Sequence, residues 1–226
     1  MIKFNGVSKG YRVRDTRKVV IENVTMSLPK GRSVALLGRN GVGKSTLLRL
    51  IAGSEKADSG HITKSGTISW PVGFGGSFHR DLTGAQNVQF VARVYGVDTR
   101  NLLAFVEDFA ELGAHFRMPL RTYSSGMLAR LAFGASMGIQ FDTYLVDEVT
   151  SVGDAAFRRK SRTVFAERLK QAGAMVVSHD VNQIRQFCDA GLLLENGQLH
   201  FFENVEDAIA AHRECMAYDR SKVKGT

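Results

Sequence analysis

Short apolar runs bounded by glycine and polar residues recur along the chain, and their lengths separate strands from helices. Ser33-Val34-Ala35-Leu36-Leu37 is one such run and ends in a glycine-rich turn, after which Leu47, Leu48 and Ile51 fall at helical spacing within residues 44–52. The pattern predicts strand, loop, helix. A second buried strand is predicted over 143–146 and a third over 174–177, each ending in polar residues. Between them, residues 154–173 form a charged amphipathic helix with Phe157, Val164, Phe165 and Leu169 as its apolar positions. This alternation predicts a parallel α/β sheet, whose strands deliver site residues at their carboxyl ends.

Near the end, apolar residues 192–194 and 199–202 flank Glu195-Asn196-Gly197-Gln198. The Asn-Gly pair accepts positive φ and so favours a tight hairpin. Asn204 is the candidate N-cap of a closing helix over 205–217. Residues 83 to about 130 have a different texture, rich in helix formers and without a convincing strand. The expected organisation is one domain. Its α/β core spans 1–82 and 136–217 and includes an N-terminal antiparallel β portion, a helical subdomain is inserted at 83–135, and a basic tail follows at 218–226.

At 226 residues and 44% hydrophobic, the chain is long enough to bury a full core. No run approaches the roughly 18 apolar residues of a membrane span, and the first residues lack the apolar core of a signal peptide, so a cytoplasmic protein is expected. Cys188 and Cys215 lack CxxC spacing and read as two unpaired thiols. The net charge is +8, with basic clusters at Arg12, Arg14, Arg17 and Lys18, at Arg158, Arg159, Lys160 and Arg162, and at Arg220, Lys222 and Lys224. No basic stripe interleaved with aromatics marks a nucleic-acid platform; a solvated surface is the first reading of this charge and proximity to a membrane the second.

Gly38-Arg39-Asn40-Gly41-Val42-Gly43-Lys44-Ser45 matches GxxxxGK[ST] directly after a strand and opening a helix. Glycines there let backbone N–H groups converge on phosphate, and the helix N-terminus adds partial positive charge. Lys44 would neutralise the β- and γ-phosphates of ATP, Ser45 would ligate Mg²⁺, and Thr46 completes the nucleotide-contacting set. Tyr144-Leu145-Val146-Asp147-Glu148 then brings two carboxylates to the sheet edge, Asp147 suited to the Mg²⁺ shell and Glu148 to polarising the attacking water.

Three further segments resemble the ATP-binding-cassette family. Tyr123-Ser124-Ser125-Gly126-Met127 is similar to its LSGGQ signature, Ser151-Val152-Gly153-Asp154 to the loop after the Asp-Glu strand, and Ser178-His179-Asp180 to the switch histidine. The resemblance implies that two copies face each other head to tail. Ser125 and Gly126 of one copy then reach the nucleotide of the other, Asp154 is a further nucleotide-site residue, and Glu148 and His179 are the catalytic residues. It also implies an aromatic ring on adenine, for which Tyr11 is the candidate; a core or surface tyrosine is the alternative reading.

One departure is informative. Cassettes commonly carry a glutamine between the phosphate loop and the helical subdomain, and residues 69–84 contain none. The Trp70-Pro71-Val72-Gly73-Phe74 stretch, Asn87 and the segment from Phe90 to Gly96 resemble ATP-binding subunits of bacterial polysaccharide exporters, especially the capsule type. Related O-antigen and teichoic-acid exporters rank below it, partly because those often carry extra C-terminal domains. This resemblance implies a membrane-embedded permease as second partner, contact with the polysaccharide mainly through that permease, and a peripheral location on the inner face of the inner membrane. Phe78 and His79 are the expected permease contacts in the glutamine-free loop. Trp70 divides evenly between that role and packing under the subdomain.

Overall fold

The computed structural model describes residues 1–14, 16–72, 78–147 and 154–223, with the side chains of Val13 and of 218–223 left undescribed. It divides into two compact units, Met1–Ile68 with Asp142–Glu148 and Gln171–Thr226, and Ser69–Phe141 with Val149–Lys170. Relative to the span 83–135 read from the sequence, the second unit extends on both sides and also takes in the helix after residue 154.

In the first unit, β1 (Ile2–Val13) pairs antiparallel with β2 (Thr16–Leu28) and with β4 (Ser59–Lys64), in the order β2-β1-β4. Irregular register along β1 breaks strict alternation, and β2 buries Val20 and Ile21 in succession. The parallel strands are β3 (Ser33–Leu37), β6 (Thr143–Asp147), β7 (Gly173–Val177) and β8 (Ala190–Glu195), and β9 (Gln198–Phe202) closes an antiparallel edge, in the order β6-β7-β3-β8-β9. Every residue of β7 is buried, as expected of a strand covered on both faces. Asn196 and Gly197 turn the β8–β9 hairpin with φ of 48° and 79°, the doubly positive pair that a two-residue hairpin needs.

Helix α1 (Lys44–Ala52) shares one buried core with residues of both sheets. Leu47, Leu48, Leu50 and Ile51 are all buried, in one cluster with Phe4, Val7 and Ile21 of the first sheet and Val34, Leu36, Leu145 and Val177 of the second. Truncating such a leucine to alanine costs about 2–5 kcal/mol. The core therefore clamps the helix whose first turn carries Lys44 and Ser45. Helix α6 (Val181–Phe187) and α7 (Val205–Val223) complete this unit. The Asn204 side chain accepts the Glu206 N–H at the start of α7.

In the second unit, β5 (Ile68–Val72) leads to α2 (Gly84–Tyr95), α3 (Thr99–Ala110), α4 (Ser125–Gly138) and α5 (Ala155–Leu169). Thr83 and Gln86 form a reciprocal capping box on α2, Asp98 caps α3, Ser124 caps α4 and Asp154 caps α5. Phe109 stacks on Phe133 at 5.6 Å and meets Phe157 edge-on at 5.3 Å, joining three helices. On α5 the buried positions are Phe157, Ser161 and Phe165, with Val164 and Leu169 half-buried.

Candidate active site

The predicted phosphate loop turns sharply between β3 and α1. Gly38, Gly41 and Gly43 adopt φ of 148°, 74° and 120°. Two of these are also sterically closed to a side chain: a Cβ on Gly38 would lie 2.6 Å from the Leu194 carbonyl oxygen, and one on Gly43 only 2.4 Å from Val20 Cγ1. Glycine is required there by backbone angle and by space together. Lys44 folds across the turn, its Nζ donating to the carbonyls of Gly38 at 2.7 Å and Arg39 at 3.0 Å.

A cavity of 580 Å³ opens on this loop, lined by Asn40, Gly41, Gly43, Lys44, Ser45, Thr46, Asp147, Val177 and His179. Asp147 ends β6 opposite Val177 of β7, so both side chains reach the carboxyl edge of the sheet together. His179 follows two residues after Val177. Its turn is braced by Ser178, whose hydroxyl donates to Gln183 and accepts from the Asp180 N–H, while Asp180 caps α6. Residues from three parts of the sequence thus converge on one cavity with the chemistry of an anion and divalent-cation site. Gly38, Arg39 and Val42 belong to the same turn but do not line the cavity. Glu148 lies outside the described residues, as do Ser151, Val152, Gly153 and Phe74.

Tyr11 is not among the lining residues. Its hydroxyl donates a short hydrogen bond to Glu55 and lies 3.3 Å from Thr46 Oγ1, which does line the cavity. Glu55 also receives Arg49 Nε at 3.0 Å and pairs with Lys9 at 3.2 Å, and Lys9 Nζ stands 5.3 Å from the Tyr11 ring centre. Burial opposes ionisation of Glu55, yet hydrogen bonds from Tyr11, Arg49 and Lys9 hold its carboxyl below the usual range. This network fixes Tyr11 from one side. Glu55 follows the left-handed cap of α1 at Gly53, where an isolated carboxylate gives no sequence signal.

Ser125 and Gly126 open α4 in the helical unit, where the Ser124 hydroxyl accepts the Met127 N–H at 3.2 Å. Nothing within 3.4 Å crowds a Cβ at Gly126. Asp154 accepts the Phe157 N–H at 2.9 Å and pairs with Arg130 at 2.8 Å, and these interactions, the backbone one foremost, hold its carboxyl below its ordinary value. Arg130 also lies over the Phe157 ring at 4.6 Å.

The glutamine-free segment is organised by Asn87, 2% exposed. Its amide accepts the His79 N–H at 2.8 Å and donates to the carbonyls of His79, Leu82 and Thr83. Trp70 packs against Tyr95 at 5.0 Å and against Phe141 at 5.7 Å, so of its two readings the internal one holds. His79 is exposed and Phe78 half-buried. Sequence reasoning gave no role to the outer face of α2, where Phe90 and Val94 are 58% and 60% exposed one turn apart. The available signal was that apolar residues exceed one stripe on this helix, with Val88, Val91 and Ala92 already filling the buried side.

Comparison with known proteins agrees with this geometry. A family model described as "ABC transporter" matches residues 21–151. The chain is 47% identical over 216 residues to the polysialic acid transport ATP-binding protein KpsT of Escherichia coli, covering 94% of this chain and 96% of that protein. It is 42% identical over 208 residues to the capsule polysaccharide export ATP-binding protein CtrD of Neisseria meningitidis serogroup B, covering 92% and 96%. Among solved structures, a dimeric ATP-binding cassette in a post-hydrolysis state with ADP and Pi superposes with a TM-score of 0.76 at 21% identity, over 91% of this chain and 99% of that one. The phosphate loop at the end of β3, the Asp147 and His179 edge beside it and a family match over more than half its length make this chain a member of the ABC transporter family.

Proposed function

We propose that this chain is the ATP-hydrolysing subunit of an exporter that moves capsular polysaccharide across the bacterial inner membrane, acting as a head-to-tail pair of copies beneath a separate permease. The observation that carries the ATPase reading is the convergence of Lys44, Ser45, Asp147 and His179 on one cavity at the phosphate loop. Backbone N–H groups of the loop and the N-terminus of α1 receive the phosphates, and Lys44 balances their charge. Ser45 and Asp147 supply the protein ligands for Mg²⁺, a cation that binds through few protein oxygens and completes its shell with water and phosphate. Bound there, the ion would neutralise charge developing on the phosphates. Glu148 accepts a proton from the attacking water, His179 orients toward the γ-phosphate, and Tyr11, braced by Glu55, stacks on adenine.

The head-to-tail pair is supported by the position of Ser125 and Gly126 at the start of a 14-residue helix, whose N-terminal amides and dipole favour an anion. Asp154, paired with Arg130 of that helix, is the further candidate on this side of the pair. Export of capsular polysaccharide is supported by the transport and export roles of KpsT and CtrD together with near full-length similarity to both. Among the described residues no helix is long and apolar enough to cross a membrane. Attachment to the inner face of the membrane then comes through the permease; Phe90 and Val94, an exposed apolar pair, suit such a contact, and Phe78 and His79 are further candidates for it. The test is phosphate release from Mg-ATP by the purified chain and its Lys44→Ala variant. The wild type should turn over and the variant should not; equal turnover would overturn the assignment.

A further inference from the structure

Strand β2 runs beside the phosphate loop, and its successive side chains point alternately toward the loop and away from it. Val20 faces the loop, since a Cβ on Gly43 would stand 2.4 Å from its Cγ1. Val19 turns the other way, toward the β8–β9 hairpin, where a Cβ on Gly197 would stand 3.3 Å from its Cγ1. Lys18 then returns to the loop: its Nζ lies 3.8 Å from the position of a Cβ on Gly41, one of the residues lining the cavity. In the strand register Lys18 is directly opposite Tyr11 on β1, so the two side chains project from the same face of the sheet. Tyr11 Oη in turn lies 3.3 Å from Thr46 Oγ1 at the same cavity. Charge pairing also sets Lys18 apart from its basic neighbours. Arg17 pairs with Asp58 at 3.2 Å, and Lys9 pairs with Glu55 at 3.2 Å and Asp58 at 3.4 Å. The exposed ammonium of Lys18 has neither an ion pair nor a hydrogen bond among the described residues.

We infer that Lys18 is a second cation of the nucleotide site: its ammonium meets the polyphosphate of ATP from the β2 side, while Lys44 meets it from the start of α1. The inference deepens the ATPase reading and rests on it. Lys18 adjoins both the ring proposed to take adenine and the loop that takes the phosphates, which is where a nucleotide held by both carries its charge. Lysine suits the task, because its compact ammonium on a flexible four-carbon stem can follow a phosphate as a point charge. The pleat of β2 fixes the direction of that stem through Val19 and Val20, so the approach to Gly41 is set by the backbone and not by the side chain alone. Of the basic cluster at Arg12, Arg14, Arg17 and Lys18, one member thus serves the site and not merely the solvated surface.

The test measures Mg-ATP affinity by isothermal titration calorimetry at low and high salt, with steady-state ATPase kinetics, for the full chain and five variants. At low salt Lys18→Ala should weaken binding by about 3- to 10-fold, as expected when an exposed charge facing a multiply charged anion is lost. KM should rise by the same factor while kcat stays within about twofold. The loss should shrink to less than about twofold near 1 M salt, where the charge is screened. Lys18→Arg should recover most of the affinity and Lys18→Glu should bind more weakly than Lys18→Ala, all three with the Tm of the wild type because the side chain is exposed. Lys3→Ala removes the same charge from another exposed position, on β1, and should bind as the wild type does. If Lys44→Ala abolishes binding while Lys18→Ala binds ATP at low salt as tightly as wild type, the role of Lys18 is refuted and the ATPase reading stands. If Lys18→Arg is as impaired as Lys18→Ala, if Lys3→Ala loses as much affinity, or if salt leaves the loss unchanged, the ammonium does not meet the phosphates and the inference fails. Normal binding by Lys44→Ala would remove the ATPase reading and the inference with it.

Discussion

Gly43→Ala separates the two physical reasons for glycine in the phosphate loop. At φ of 120° an alanine is strained wherever it sits, at about 1–3 kcal/mol. Its Cβ would also stand 2.4 Å from Val20 Cγ1 and 3.2 Å from Val20 Cγ2. Val20 is 2% exposed and backed by the core, so relief requires shifting packed atoms, which costs a further 1–3 kcal/mol or so. The single variant should therefore lose about 2–6 kcal/mol, or roughly 2–4 °C in Tm for each kcal/mol in a chain of this size. Val20→Ala alone leaves a cavity and is itself destabilising, but in the double variant it removes the collision and leaves only the backbone strain. A double-mutant cycle by urea denaturation should give a favourable coupling energy of about 1–3 kcal/mol between the two substitutions. Additivity within about 0.5 kcal/mol would show that β2 does not abut the loop and would refute the reasoning.

Three further outcomes are expected. Glu148→Gln should retain ATP binding and lower hydrolysis by roughly 100- to 10,000-fold, since an amide cannot take the proton; wild-type turnover would exclude Glu148 as the base. Phe90→Ser combined with Val94→Ser should keep the Tm of the isolated chain, because both side chains are exposed, yet lose co-purification with the permease; unchanged recovery of the permease would exclude that face. Asp142 is held down to about 2, chiefly by the Thr67 N–H and then by Lys30 and the Thr67 hydroxyl. Its stabilising contribution is present above the ordinary carboxylate pKa and disappears as pH falls from about 4 toward 2. Acid unfolding monitored by circular dichroism should show Asp142→Asn less steep than wild type across that window, and identical profiles would contradict this.

The parts of the fold legible in the sequence were those in which one local rule dominates. Apolar runs of four or five residues sufficed for β3, β6 and β7, and the Asn196-Gly197 pair for the β8–β9 hairpin, because full burial or positive φ leaves little choice of residue. Strands β1 and β2 were harder to read because register shifts interrupt their alternation, as where Val20 and Ile21 are buried side by side. The site divides in the same way. Lys44, Ser45 and Asp147 announce themselves through motif and strand end. By contrast, the brace of Glu55 on Tyr11 depends on how β1 packs beside the end of α1, which no spacing encodes. Phe90 and Val94 lay between these extremes, since an excess of apolar residues around α2 was visible without a face being assigned to them.

Restoration of surface capsule tests the central claim most directly. A bacterial strain lacking its own capsule-export ATP-binding subunit, supplied with this chain and scored for surface polysaccharide with a capsule-specific antibody, should recover capsule with the wild type. It should recover none with Lys44→Ala at equal expression. Full recovery with Lys44→Ala would contradict the account, because export would then proceed without the phosphate loop.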